Sequence, residues 1–236
     1  MDAFVAPVSH AQRRLWFLDR LDPGNPAYHI PIAVRLRGRL NHSALQGALA
    51  EIVRRHDTLR TTFAVENGEP VQVVHEAMDF ALPVTTVAGE EELARRLTSE
   101  ARRPFDLVTG PVLRAALFQL DKADQVLLLT FHHIVADGWS LRVLIREVST
   151  LYGAFSRGQG VKLPALPIQY ADFAEWQNAV VTDSVVETQL TEWVRHLEGA
   201  PTTLELPADF LRPAIQSYRG ALMLQRLPAA LVSPLR

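Results

Sequence analysis

The sequence contains no cysteine. Disulfides, thiolate metal sites and cysteine nucleophiles are therefore excluded. Long apolar runs are missing as well. Stretches such as Val126–Phe131 are far too short to cross a bilayer. The N-terminal MDAFVAPVSHAQRR lacks the basic-then-apolar layout of a signal peptide. Neither sign of charge dominates: 24 Lys and Arg stand against 26 Asp and Glu, a net charge of −2. No basic field marks a binder of nucleic acid or anionic membrane. The G-x-S-x-G, P-loop and dinucleotide glycine patterns are also absent, so no standard nucleophile or nucleotide site is evident. These absences lead us to expect a cytoplasmic globular chain with neither nucleic acid nor membrane as partner.

What is present is enough apolar residue for a sizeable core. The chain has 236 residues, 48% of them hydrophobic, which fits one or two domains. Helix and strand patterns alternate. Ser9 is a plausible N-cap for a helix over Ser9–Leu21, with Leu15, Trp16 and Leu18 on its apolar face. DPGNP at 22–26 reads as a loop, and Ile30–Leu36 as a strand. Asn41 precedes a helix over His42–Arg55, whose Leu45, Ala48, Leu49, Ile52 and Val53 recur at helical spacing. Asn67-Gly68 sits between two β-rich runs, the strongest short-range hairpin signal. Glu90–Arg103 reads as a helix stopped by Pro104. Val112–Leu120 and Val126–Phe131 read as strands, the second apolar on both faces and so a mid-sheet strand. Ser140–Phe155 is another amphipathic helix.

The texture changes at RGQGVKLPALP, residues 157–167, which reads as a linker. Helices are expected over Gln169–Val181 and Ser184–Leu197. Near the C-terminus, Leu227, Leu231, Val232 and Leu235 begin an apolar helical face, with Pro228 suited to its first turn. The sequence stops at Arg236, inside that pattern. We therefore expect a division at residue 166, with 1–166 as a lobe and 167–236 as the start of a second, and the chain to be part of something longer.

The stretch FHHIVADGWS, residues 131–140, carries the densest polar chemistry. His132 and His133 close the buried strand, and adjacent strand residues point to opposite faces. One histidine is expected to face a reaction space and the other the protein. Three readings compete on physics alone. An imidazole can accept or pass a proton near neutral pH. A metal site from His132, His133 and Asp137 is disfavoured because adjacent strand residues diverge and no H-E-x-x-H helix is present. The third reading is a satisfied histidine pair followed by a helix-capping aspartate. His10, His29, His42 and His196 stand alone and read as ordinary surface or core residues.

The motif does not stand alone. HHIVADG matches HHxxxDG, shared by condensation domains of nonribosomal peptide synthetases and the chloramphenicol-acetyltransferase-like acyltransferases. Ser9-His-Ala-Gln-Arg-Arg-Leu-Trp16 resembles the first condensation-domain motif, SxAQxRLW. Arg55-His-Asp-Thr-Leu-Arg-Thr-Thr-Phe63 resembles the second, with Asp57 where glutamate is usual. Tyr170-Ala-Asp-Phe-Ala-Glu-Trp176 resembles the fourth. The four occur in family order from residue 9 to residue 176.

The resemblance implies an α+β fold, a mixed sheet flanked by helices. This would be a chloramphenicol-acetyltransferase-like lobe, the first half of a two-lobed, V-shaped domain. It implies amide formation between two thioesters, carried on the phosphopantetheine of upstream and downstream peptidyl carrier proteins, with an adenylation domain adjacent in the parent synthetase. No cofactor bound directly and no metal are implied, and half a domain is expected to be inactive alone. His133 resembles the catalytic histidine. Asp137 resembles the family's structural aspartate, which pairs with an arginine; Arg60 is the candidate partner. His132 and Gly138 would shape the loop, and an N–H near Gly138 would help hold the oxyanion. Trp16, Phe63 and Trp176 are expected in the core. Gly138-Trp139-Ser140-Leu141 and the AYHIP segment, residues 27–31, resemble an elongation domain joining two L-residues. The epimerization and cyclization types fit less well.

Overall fold

The computed structural model describes residues 3–211, 213–214, 220–221 and 223–232. Two compact units divide at 193/194. The first carries all seven strands: β1 (Ala3–Pro7), β2 (His29–Arg37), β3 (Thr61–Glu66), β4 (Glu69–His75), β5 (Val84–Thr86), β6 (Leu113–Asp121) and β7 (Asp124–His132). Its helices are α1 (His10–Leu21), α2 (His42–Arg55), α3 (Glu90–Arg102), α4 (Gly138–Phe155) and α5 (Tyr170–Val180). Most of α6 (Asp183–His196) follows. The second unit holds the end of α6 and the short α7 (Ala229–Val232). Leu235, part of the expected C-terminal face, lies outside the described residues.

β7 organises the first unit. It occupies the middle of a four-stranded sheet of order β2-β7-β6-β5, antiparallel except for β5 with β6. Every residue after its first is buried. Leu127, Leu129 and Phe131 face a core built with α2 and α4, through Leu45, Leu49, Ile52, Leu144 and Leu151. Val126 and Leu128 point the other way, toward Leu93 of α3. The strand thus separates two apolar layers, which is why its sequence shows no alternation. The result is the α+β architecture expected, mixed sheets flanked by helices.

The hairpin forms as its turn dipeptide requires. β3 and β4 pair from Thr61–Val74 to Glu66–Glu69. Asn67 and Gly68 both take positive φ, 53° and 86°, as a type I′ turn demands. β1 adds to the far side of β4 to make a second sheet. Neither β1 nor β5 is among the strands expected from the sequence. β1 has no clear alternation, and β5 has three residues.

Two of the sequence motifs meet beside β1. Ser9 caps α1 and forms a reciprocal capping box with Gln12. Its hydroxyl also lies 2.9 Å from the Tyr170 hydroxyl. The Gln177 side chain accepts from the His10 N–H at 2.9 Å, and the Asn178 amide donates to the Val8 carbonyl at 3.0 Å. These bonds tie α5 to the N-terminal elements. The division in compactness therefore lies after Trp193 and does not coincide with the one expected after residue 166. Phe63 is fully buried and Trp16 packs beside its cluster, whereas Trp176 is 58% exposed. The reason is helical geometry. Tyr170, Phe173 and Trp176 stack in series, but steps of three residues drift around the helix. By Trp176 the series has left the face that buries Ala171 and Ala174.

Among the described residues no helix is long and apolar enough to cross a membrane. Gly68→Ala should cost about 1–2 kcal/mol, the penalty for an L side chain in the left-handed region. Urea denaturation of the variant measures it.

Candidate active site

The turn from β7 into α4 brings the HHIVADG residues together. β7 ends at His132, and the chain is then clamped from two directions. The His132 N–H donates to the Val112 carbonyl at 3.0 Å, and the His133 N–H to the Tyr28 carbonyl at 2.8 Å. The two side chains separate as strand geometry dictates. His132 is 2% exposed, while His133 is exposed. His132 shares the face of Val126 and Leu128, which looks toward α3; His133 has the opposite parity.

His132 is locked as a neutral ring. Its Nδ1 accepts the Ile134 N–H at 3.1 Å, so the remaining proton sits on Nε2. Burial is the main force pulling its pKa down to about 4, aided by His29 and His133 nearby. It packs edge-on to Phe105 and His29, with centroids 5.9 and 6.3 Å away. His29, which reads as isolated in the sequence, is its cross-strand partner in the β2–β7 register. The His29 Nδ1 donates to the Ala101 carbonyl at 2.9 Å. Burial again lowers its pKa, opposed by that bond. The Arg114 guanidinium covers Phe105 at 3.7 Å and donates to the carbonyls of Glu100, Arg103 and Pro104 at the end of α3. Burial lowers its pKa to about 10.

Asp137 caps α4. Its carboxylate accepts from the Ser140 and Trp139 N–H groups at 2.8 and 3.0 Å, and the Ser140 hydroxyl accepts from the Asp137 N–H at 2.7 Å. These bonds hold the carboxyl below its usual range, the Ser140 amide first among them. The cap engages the amides of Trp139 and Ser140, not that of Gly138.

The expected Arg60–Asp137 pair does not form. Arg60 closes a one-turn 3₁₀ helix, Asp57–Arg60. Its guanidinium binds Asp57 three residues back and the carbonyls of His75 and Glu76 at the end of β4. Both groups have partners elsewhere, Asp137 in its helix and Arg60 in its own turn and at the end of β4, so neither has reason to reach the other.

The second motif instead touches α4 through residues not singled out in the sequence. Glu147, 6% exposed, accepts from His56 Nε2 at 2.7 Å and from Arg55 Nε at 3.3 Å. A signal for it existed. Glu147 lies three residues after Leu144 and four before Leu151, on the stripe that faces α2.

The neutral state of His132 has a consequence for stability. Its folded pKa lies below the unfolded value of about 6.5, so the unfolded chain takes up the extra proton between pH 6.5 and 4. The stabilisation is complete above about pH 6.5 and is lost as pH falls toward 4. Denaturation at pH 7 and pH 5 should show a loss on the order of 1–2 kcal/mol from this ring. His132→Asn keeps an acceptor near the Nδ1 position and does not titrate, so it should flatten that dependence.

A family model described as the condensation domain matches residues 3–236. A linear gramicidin synthase of Brevibacillus parabrevis is 48% identical over 221 residues, covering 91% of this chain and 4% of that protein. Among solved structures, the X-domain from teicoplanin biosynthesis, in its complex with OxyB, is 36% identical with a TM-score of 0.78. It covers 91% of this chain and 48% of that one. The starter condensation domain of rhizomide synthetase shares the fold at 20% identity, TM-score 0.73, over 84% of this chain and 49% of its own. The chain thus spans a small fraction of the synthetase it matches and about half of each solved domain. With the family model matched along nearly its full length and its fold shared by those domains, the chain belongs to the condensation-domain family of the nonribosomal peptide synthetases.

Proposed function

We propose that the chain is the histidine-bearing half of a domain that joins two carrier-bound substrates through an amide bond. The observation that carries this reading is the split histidine pair. His132 is buried and neutral, and His133 stands exposed on a backbone clamped by the Tyr28 carbonyl. The amine of an acceptor aminoacyl thioester attacks the carbonyl carbon of a donor thioester. The new C–N bond forms, the C–S bond breaks, and the donor carrier's thiol leaves. The amine's proton passes to His133 and on to the departing sulfur. The amine attacks as its neutral form, since an ammonium has no lone pair, and an imidazole beside it can take the proton released as the C–N bond forms. His132 contributes by fixing the loop through Ile134, and Asp137 by starting α4.

On this reading, phosphopantetheine arms of upstream and downstream carrier proteins deliver both substrates. No cofactor is held by the chain itself. Tethering both reactants supplies much of the acceleration by proximity. An adenylation domain lies nearby in the parent synthetase, and the location is cytoplasmic. His133 on the first half needs the second half to enclose its substrates, so the chain alone is inactive.

A second reading has one specific observation in its favour. The X-domain, at 36% identity, was solved in complex with another protein, OxyB. A condensation-type fold that serves as a protein-binding module fits that likeness.

Intact-protein mass spectrometry of an acceptor carrier, incubated with a loaded donor carrier, separates the two. A complete domain containing this chain should add the donor mass. The chain alone should add none, and His133→Ala should lower the rate by about 10²–10⁴-fold. Equal turnover by His133→Ala would refute the transfer role. Saturable carrier binding without transfer by the complete domain would establish the binding module.

A further inference from the structure

The buried face of α4 carries Leu144, Glu147, Leu151 and Ala154. Three of these are apolar, and the helix packs against α2. Apolar contacts are non-directional. If α4 slipped by one turn, about 5.4 Å, Val148 would take the place of Leu144 and Tyr152 that of Val148. Both seats would stay filled by apolar bulk, and the slip would draw the Tyr152 hydroxyl off the exposed Asn41 N–H that it accepts at 3.2 Å. The hydrophobic layer alone sets the rotation of α4 far better than its position along α2.

Glu147 breaks that degeneracy from a buried position, where the loss of a partner costs most. Its carboxylate takes the His56 Nε2–H at 2.7 Å, and its two oxygens lie 3.3 and 3.4 Å from Arg55 Nε. After a one-turn slip, Val143 or Leu151 would face Arg55, whose side chain is only 12% exposed. A buried, unpaired guanidinium is strongly disfavoured. The α2 end of this contact is itself anchored. The Gln169 side chain donates to the Arg55 carbonyl at 3.0 Å and accepts from the Asp57 N–H at 3.2 Å.

The link from α4 to His133 is short. Only Ile134, Val135 and Ala136 separate His133 from Asp137. Ile134 and Ala136 are buried, and the Val135 N–H donates to the His132 carbonyl at 3.1 Å. Such a segment has no slack to absorb an axial shift. We propose that Glu147 is a positioning residue. It pins α4 on α2 through Arg55 and His56, and so sets where His133 stands in the site. The second sequence motif then acts on the histidine loop through these two residues rather than through Arg60. The inference rests on the transfer reaction proposed above.

The test uses a complete condensation domain containing this chain. In the variant Arg55→Met/His56→Leu/Glu147→Met the ionic pin becomes apolar. Exchanges of this kind are often neutral or stabilising when they pack well. We expect a melting temperature at or above that of the parent, kcat lower by about tenfold or more, and acceptor KM little changed, the pattern of a lost transition-state interaction. The amide NMR shifts of His133 and Asp137 should move. Glu147→Gln, a milder change, should move the same shifts and lower kcat less. It decides the matter if the triple variant does not fold. Leu93→Ala, on the opposite side of the sheet, should lower the melting temperature yet keep kcat. Parental kcat with unmoved shifts in the triple variant, or in Glu147→Gln where the triple variant does not fold, would overturn the proposal. An equal loss of kcat in Leu93→Ala would do the same. Full turnover by His133→Ala would strike the transfer reading instead, and the NMR shifts would still decide the pin.

Discussion

Burial of β7 on both faces is the constraint from which the rest follows. A strand that must hide Leu127, Leu129 and Phe131 on one side and Val126 and Leu128 on the other needs a helical layer on each. It also needs a neighbouring strand along each edge, β2 and β6. Its inward-facing run ends at His132, where the chain turns out of the sheet. A polar ring at that point can be buried only if it is neutral and bonded. The Ile134 N–H meets that condition. The next residue has the opposite parity and emerges. One histidine hidden and one presented is the strand's alternation continued past its last ladder bond.

Much of this was legible in the sequence because it is local. The mid-sheet strand, the Asn67-Gly68 turn, the Asn41-capped α2 and the Ser9 cap all rest on spacing or on one residue's conformational preference. The four motifs also marked the family. What was not legible depends on distant partners. β1 borrows its definition from β4, and β5 from β6. His29 looks isolated in sequence because its neighbour, His132, is more than a hundred residues away and meets it only across the β2–β7 register. Trp176 belongs to an aromatic series, but its exposure depends on where the helix's buried face lies.

The Arg60 reading failed for a related reason. A motif identifies residues that matter without saying what each one touches. The aspartate that starts a helix is satisfied by that helix, and the arginine that ends a tight turn by that turn and the end of β4. The bonds from that motif to α4 belong to Arg55 and His56, which meet a carboxylate on the helix's apolar stripe. An acid at an inward position of an amphipathic helix, close in space to a basic pair, is the pattern that would have found it.

The bonds between the first and last motifs bear on how the chain is made. The partners Ser9 and Tyr170 lie 161 residues apart, and Val8 and Asn178 lie 170 apart. At roughly 5–20 residues per second of synthesis, the N-terminal strand and helix wait on the order of ten seconds or more before α5 exists to cover them. Through that interval neither Ser9 nor Val8 can meet its partner. Completion of this unit is therefore a late event on the ribosome, set by the arrival of α5 rather than by the speed of its own local elements.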